Sequence, residues 1–216
     1  MKKTKFSGSK IFKILFAGED CINWFRDEFN GHIILLLRHP IAVSLSRQKL
    51  PRLRSFLMRP YSDNFSRQQL NHAQSVLAEG NHLQSAVLDW CLQNATRLRS
   101  IEADWTVLSY EQFVLQPELV VQHFASTLSL PDPEKMMNRV FIASDSTGKS
   151  TEESKRVLLN PEQMRRNRMK LIDRWKTKVT LEQEERAFDT LRIFGIDFYE
   201  YDNLLPKDSY LIEANS

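Results

Sequence analysis

The sequence predicts an α/β domain in which a parallel sheet is flanked by helices. Three observations carry that expectation. His32-Ile33-Ile34-Leu35-Leu36-Leu37-Arg38 is an apolar run of strand length that ends in a charge. Its lack of polar alternation is the pattern of a strand buried on both faces of a parallel sheet. Trp105-Thr106-Val107-Leu108-Ser109-Tyr110 reads as a second buried strand. The segments between and after these runs carry apolar residues at helical spacing.

The elements follow in order. Residues from about 10 to 29 form an amphipathic helix, with Ile11, Ile14, Leu15, Cys21, Ile22, Phe25 and Phe29 at roughly helical spacing, and Asn30-Gly31 ends it. The strand at 32–38 comes next. Pro40 then opens a helix of small residues, where its missing N–H costs little. Pro51, Pro60 and Ser62-Asp63-Asn64 mark 50–65 as a loop. Ser66 caps a long helical region reaching about residue 101, which Gly80-Asn81 splits in two. The strand at 105–110 leads to short helices near 117–129 and 133–142, the second opened by Pro131-Asp132-Pro133. Residues 143–160 are polar and read as a mobile loop. A helix runs from Pro161 to Trp175. The last helix spans about 180–194, with Thr180 as its cap and Glu182, Glu184 and Glu185 in its first turns. Leu191, Phe194 and Phe198 read as core.

Composition bounds the function. At 216 residues the chain is one domain, 1–216, long enough for a sizeable core. Hydrophobic content of 42% with 26% charge is that of an ordinary soluble globular protein. A net charge of +3 is too small to argue for a nucleic-acid partner. The basic residues cluster, however. Arg47, Lys49, Arg52, Arg54 and Arg59 form one stretch, and Lys155, Arg156, Arg165, Arg166, Arg168 and Lys170 a second. Each is a solvated face or an anion-binding surface. Cys21 and Cys91 have no ligand spacing and point to a reducing compartment or to core positions. No metal motif occurs. No apolar run is long enough to span a membrane. The basic Met1-Lys2-Lys3-Thr4-Lys5 start has no signal-peptide core behind it. The expected location is the cytoplasm.

The candidate site lies where the first strand ends. Arg38 stands at the carboxyl end of a buried strand beside a helix start, which is where open α/β sheets bind ligands and where anions are favoured. Ser46, eight residues on, adds a hydroxyl. Arg offers a planar fork of donors to phosphate oxygens. The plain alternative is an ordinary strand-turn-helix with a polar turn. For Tyr110-Glu111 it is a structural pair at the end of a buried strand.

Arg38-His39-Pro40 with Ser46 resembles the 3′-phosphate-binding element of sulfotransferases that use 3′-phosphoadenosine 5′-phosphosulfate (PAPS), in the bacterial form of that element. Trp105-Thr106-Val107-Leu108-Ser109-Tyr110-Glu111-Gln112-Phe113, followed by Pro117-Glu118, resembles the family's second strand and the loop after it. Arg174-Trp175-Lys176 resembles its C-terminal signature. The resemblance covers roughly residues 10–200 and implies a P-loop-like sulfotransferase architecture. It implies that Arg38, Ser46 and Tyr110 bind the nucleotide, with PAPS as co-substrate and no metal. The reaction implied is sulfuryl transfer to a hydroxyl or amine of a small-molecule or glycan acceptor. Arg166 or a neighbour could add to the 3′-phosphate site, on the ground of the basic cluster and not of a matched position.

The front of the chain departs from the family. A Gly- and Ser/Thr-rich loop that cradles the 5′-phosphosulfate stands well upstream of the Arg-x-Pro element in family members. Here 37 residues precede Arg38, and Phe6-Ser7-Gly8-Ser9-Lys10 has no strand before it. The expected architecture is therefore N-terminally incomplete, with impaired transfer. Lys13-Ile14-Leu15-Phe16 resembles the segment leading into the helix before the Arg-x-Pro strand, and no His stands there to assign as general base. Two other classes stay open. One is a non-catalytic nucleotide-binding or interaction module of the same fold. The other is a kinase-like protein using Ala143-Ser144-Asp145-Ser146-Thr147-Gly148-Lys149-Ser150, which lacks the first Gly of a P-loop and follows a helical pattern. That segment reads instead as a loop closing over the cofactor.

Overall fold

Two short parallel strands organise the chain. In a computed structural model describing residues 13, 21–140 and 161–213, β1 (Ile34–Leu37) pairs with β2 (Thr106–Ser109). Ile34 lies opposite Thr106 and Leu37 opposite Ser109. Around them stand α1 (Ile22–Phe29), α2 (Pro40–Ser46), α3 (Arg67–Glu79), α4 (His82–Arg99), α5 (Tyr110–Leu115), α6 (Pro117–Thr127), α7 (Pro133–Val140), α8 (Pro161–Asp173) and α9 (Leu181–Ile193). The class is α/β, rich in helix.

Local chemistry sets the element boundaries. Asn30 closes α1 in the left-handed region at φ 47°, a conformation Asn tolerates better than most residues. Pro40 opens α2. Three helices begin with reciprocal capping boxes: Ser66 with Gln69, Asn81 with Gln84, and Thr180 with Gln183. In each, the cap side chain accepts the third-residue N–H, and that residue's side chain accepts the cap N–H. The second box, placed just after Gly80, starts α4 anew and separates it from α3. The 50–65 segment contains two 3-10 turns, Ser55–Leu57 and Tyr61–Asn64.

The core forms around α4. Its Val87, Leu88, Trp90, Cys91, Leu92 and Ala95 are buried, and it packs against α2, α3 and α9. Leu35 and Leu37 of β1 point into this core together with Ile41 of α2. On β2, Leu108 joins a second cluster with Val120, Phe124 and Ile212.

Two expectations are corrected. β1 is not buried on both faces: Ile34 is 42% exposed and Leu36 58%. The sheet has two strands among the described residues. Leu36 shares a face with Leu108, its register partner, but the second cluster covers that face over β2 and not over β1. The second strand also stops at Ser109 instead of Tyr110. The Ser109 hydroxyl accepts the Gln112 N–H at 3.0 Å and so starts α5 at Tyr110, ending the strand by capping.

The amphipathic helix foreseen from residue 10 is described only as Ile22–Phe29. Residues before Cys21, Lys13 excepted, lie outside the described set. The expected Phe6–Lys10 departure and the N-terminally incomplete architecture fall there. The loop at 143–160 with its P-loop-like segment lies outside it as well. Among the described residues no helix is long and apolar enough to cross a membrane.

Candidate functional site

The register of the two strands builds the site. Leu37 faces Ser109, so the next residue of each chain, Arg38 and Tyr110, leaves the sheet at the same level. The Arg38 guanidinium carbon lies 4.6 Å from the centre of the Tyr110 ring, within cation–π range. Arg38 is half-buried, and its Nε is buried without a hydrogen-bond partner. Among the described residues no carboxylate forms an ion pair with it. The buried Nε is out of a ligand's reach, but the terminal guanidinium nitrogens make no hydrogen bond or ion pair among the described residues, and these are donors an oxyanion can fill.

One residue further along each segment, a buried polar cluster backs the pair. His39 is fully buried, and its N–H donates to Glu111 Oε1 at 3.0 Å. The Tyr199 hydroxyl donates to Glu111 Oε2 at 2.6 Å. The His39 ring stacks on Trp175 at 4.3 Å and meets the Tyr199 ring edge-on at 4.9 Å. Burial pulls the His39 pKa down to about 3, with the Lys176 and Arg38 charges adding to the effect, so the ring is neutral. Burial raises the Glu111 carboxyl above its ordinary value, against the lowering effect of the Tyr199 and His39 donors and of the Arg38 charge. Lys176 turns outward, its Nζ 2.6 Å from Asp202 Oδ1.

All three segments that carried the resemblance therefore meet here: Arg38-His39 from the first, Tyr110-Glu111 from the second and Trp175 from the third. Of the three candidate nucleotide residues, Arg38 and Tyr110 are in contact. Ser46 is the last residue of α2, and its exposed hydroxyl donates to the Val43 carbonyl at 2.7 Å. Six residues of helix past Pro40 amount to a rise of about 9 Å, so a ligand held by Arg38 and Ser46 together would run along α2. The side chains of Arg165 and Arg166 lie outside the described residues.

The first basic stretch is taken up largely by structure. The Arg47 guanidinium donates to Asp89 at 2.7 Å and to Gln93 at 3.2 Å, tying α2 to α4. Arg52 lies over the Phe56 and Tyr61 rings. Arg59 pairs with Asp63 at 3.2 Å on the surface. Cys91 is a buried core thiol and Cys21 is exposed. No cluster of three or more His, Cys, Asp or Glu side chains placed to hold a metal ion occurs among the described residues.

Sequence reasoning missed the buried roles of His39, Glu111 and Tyr199. Their partners are 72 and 88 residues apart in the chain, and no local pattern signals a carboxylate whose donors are that remote. Comparison of the chain with protein-family models, with curated proteins and with solved structures finds no match.

Proposed function

We propose that the chain is a sulfotransferase-like protein that binds PAPS and transfers its sulfuryl group to a hydroxyl or amine of a small-molecule or glycan acceptor. Arg38 carries the reading. It is a half-buried guanidinium with no ion-pair partner among the described residues, held over the Tyr110 ring at the carboxyl end of a parallel strand. Its fork of donors matches phosphate oxygens, and the ring beneath restricts its rotation. In this reading Arg38 takes the 3′-phosphate, Tyr110 lies beside the nucleotide, and the Ser46 hydroxyl exchanges its bond to the Val43 carbonyl for one to the ligand.

The chemistry would run as an in-line displacement. An acceptor hydroxyl or amine gives up its proton to a base and attacks sulfur. The bond from sulfur to the bridging oxygen breaks, and adenosine 3′,5′-bisphosphate leaves with the electron pair. Positioning and charge stabilisation would supply most of the rate, as in phosphoryl transfer.

One observation favours a second reading, a non-catalytic nucleotide-binding module. The histidine beside the site, His39, is fully buried and so out of an acceptor's reach, and its lowered pKa makes it a weak base. Calorimetry with adenosine 3′,5′-bisphosphate tests the shared part of both readings. Wild type should bind, and Arg38→Ala should weaken binding by about 1.5–3 kcal/mol, the worth of a charged hydrogen bond. A folded wild type that binds nothing rejects both. Sulfate transfer from PAPS to a panel of hydroxyl and amine acceptors separates the first from the second.

A further inference from the structure

We infer that Glu111 is a positioning residue of the candidate site, through which Tyr199 makes the grip of Arg38 and Tyr110 depend on the C-terminal segment; the inference rests on the anion-binding reading of that pair. Glu111 follows Tyr110 directly and is only 1% exposed, so it cannot meet a ligand itself. Each of its carboxylate oxygens is taken by a donor from a different part of the chain. Oε1 receives the N–H of His39, the residue after Arg38, and Oε2 receives the hydroxyl of Tyr199. The first bond fixes the peptide between Arg38 and His39, and with it the direction in which the Arg38 side chain leaves the strand.

Neither nitrogen of the His39 ring makes a well-formed hydrogen bond, though the Asn203 backbone lies close enough to favour its protonated form, and the ring is held mainly by packing between Trp175 and Tyr199. The N–H to Glu111 is the polar anchor of the turn. Tyr199 is itself held by an antiparallel bridge to Pro206. A buried carboxylate is costly unless its donors are in place. Loss of the Tyr199 hydroxyl should therefore loosen the anchor at His39 as well, far from the substituted residue in sequence.

Two variants separate positioning from charge. Tyr199→Phe keeps ring packing and the Glu111 carboxylate but removes one donor. Glu111→Leu keeps most of the buried volume and removes both acceptors together with the negative charge near Arg38; Gln is avoided because its amide can still accept from His39 and donate to the Tyr199 oxygen. Positioning predicts that both weaken adenosine 3′,5′-bisphosphate binding, by about threefold to tenfold, the worth of one hydrogen bond. A purely electrostatic role predicts tighter binding in Glu111→Leu and no change in Tyr199→Phe, and either result overturns the inference.

A ligand-free measurement accompanies it: amide hydrogen exchange in the wild type and in Tyr199→Phe. The expected result is faster exchange of the His39 amide, by a similar factor, with the amides of α4 unchanged. Unchanged exchange at His39, or a uniform rise that includes α4, overturns the inference whether or not nucleotide binds. Coupled exchange in a wild type that binds no nucleotide rejects the anion-binding reading and leaves Glu111 as the link between the turn and the C-terminal segment.

Discussion

Leu37 and Ser109 are register partners in the parallel pair, and Arg38 meets the face of Tyr110 as a direct consequence. The contact is made by the ring and not by the phenol oxygen. Tyr110→Phe should therefore keep nucleotide affinity within about 0.5 kcal/mol, and Tyr110→Ala should lose about 0.5–1 kcal/mol. Arg38→Lys keeps the charge but not the fork and should lose about 1.5 kcal/mol of affinity. Arg38 has no ion pair to lose among the described residues, so Arg38→Ala should unfold at the same or slightly higher urea concentration. Calorimetry and urea titration on the same preparations check all four outcomes.

Arg47, the first residue of the basic stretch that follows α2, has a different use from Arg38. Its partner Asp89 has 3% of its side chain exposed, and Arg47 itself 28%. Burial raises the Asp89 carboxyl above its ordinary value, and the Arg47 charge opposes that rise. Breaking a fully buried pair costs about 3–5 kcal/mol. Arg47 keeps some contact with water, so Asp89→Ala should cost about 2–3 kcal/mol in urea unfolding. Arg47→Ala should lower stability and leave nucleotide affinity nearly unchanged. A large loss of affinity with intact stability would place Arg47 in the site instead.

Acid should destabilise the protein through His39. Its pKa is about 3 when folded and about 6.5 when unfolded. Below pH 6.5 the unfolded chain takes up a proton that the folded ring refuses. Stability from this residue is whole above about pH 6.5 and falls by about 1.4 kcal/mol for each pH unit down toward pH 3. Glu111 acts in the opposite sense, because its raised folded pKa favours the folded state at low pH and that contribution fades as pH climbs above about 4.3. Comparing wild type with His39→Gln across pH 4 to 8 isolates the histidine. The variant should show a flatter fall on acidification. Parallel curves would mean that His39 does not stay neutral in the fold.

Much of the scaffold was legible because its signals are local. Ser66, Asn81 and Thr180 each stand where a cap was foreseen or where the helical region was expected to split, and a cap with its third-residue partner lies within one turn of chain. The two strands were legible from their apolar runs. What those runs could not carry is the number of neighbours a strand has, so the exposure of Ile34 and Leu36 went unforeseen. α5 was hidden because Ser109 reads equally well as a strand residue and as a cap. At the site, Arg38 and Tyr110 were each visible as a residue at a strand end, but their contact is a product of register. Glu111 was visible only as half of a Tyr–Glu pair, because its donors come from His39 and Tyr199.

The exposure of β1 gives a direct test of the sheet. Leu35 is 7% exposed and sits in the main core, whereas its neighbour Leu36 is 58% exposed. Leu35→Ala should cost about 2–5 kcal/mol, the range for a buried leucine whose cavity cannot collapse fully. Leu36→Ala removes a side chain already more than half in water and should cost less than about 1 kcal/mol. A strand buried on both faces would make the two costs equal. Paired urea titrations of the two variants therefore report, by their difference, whether β1 has one covered face or two.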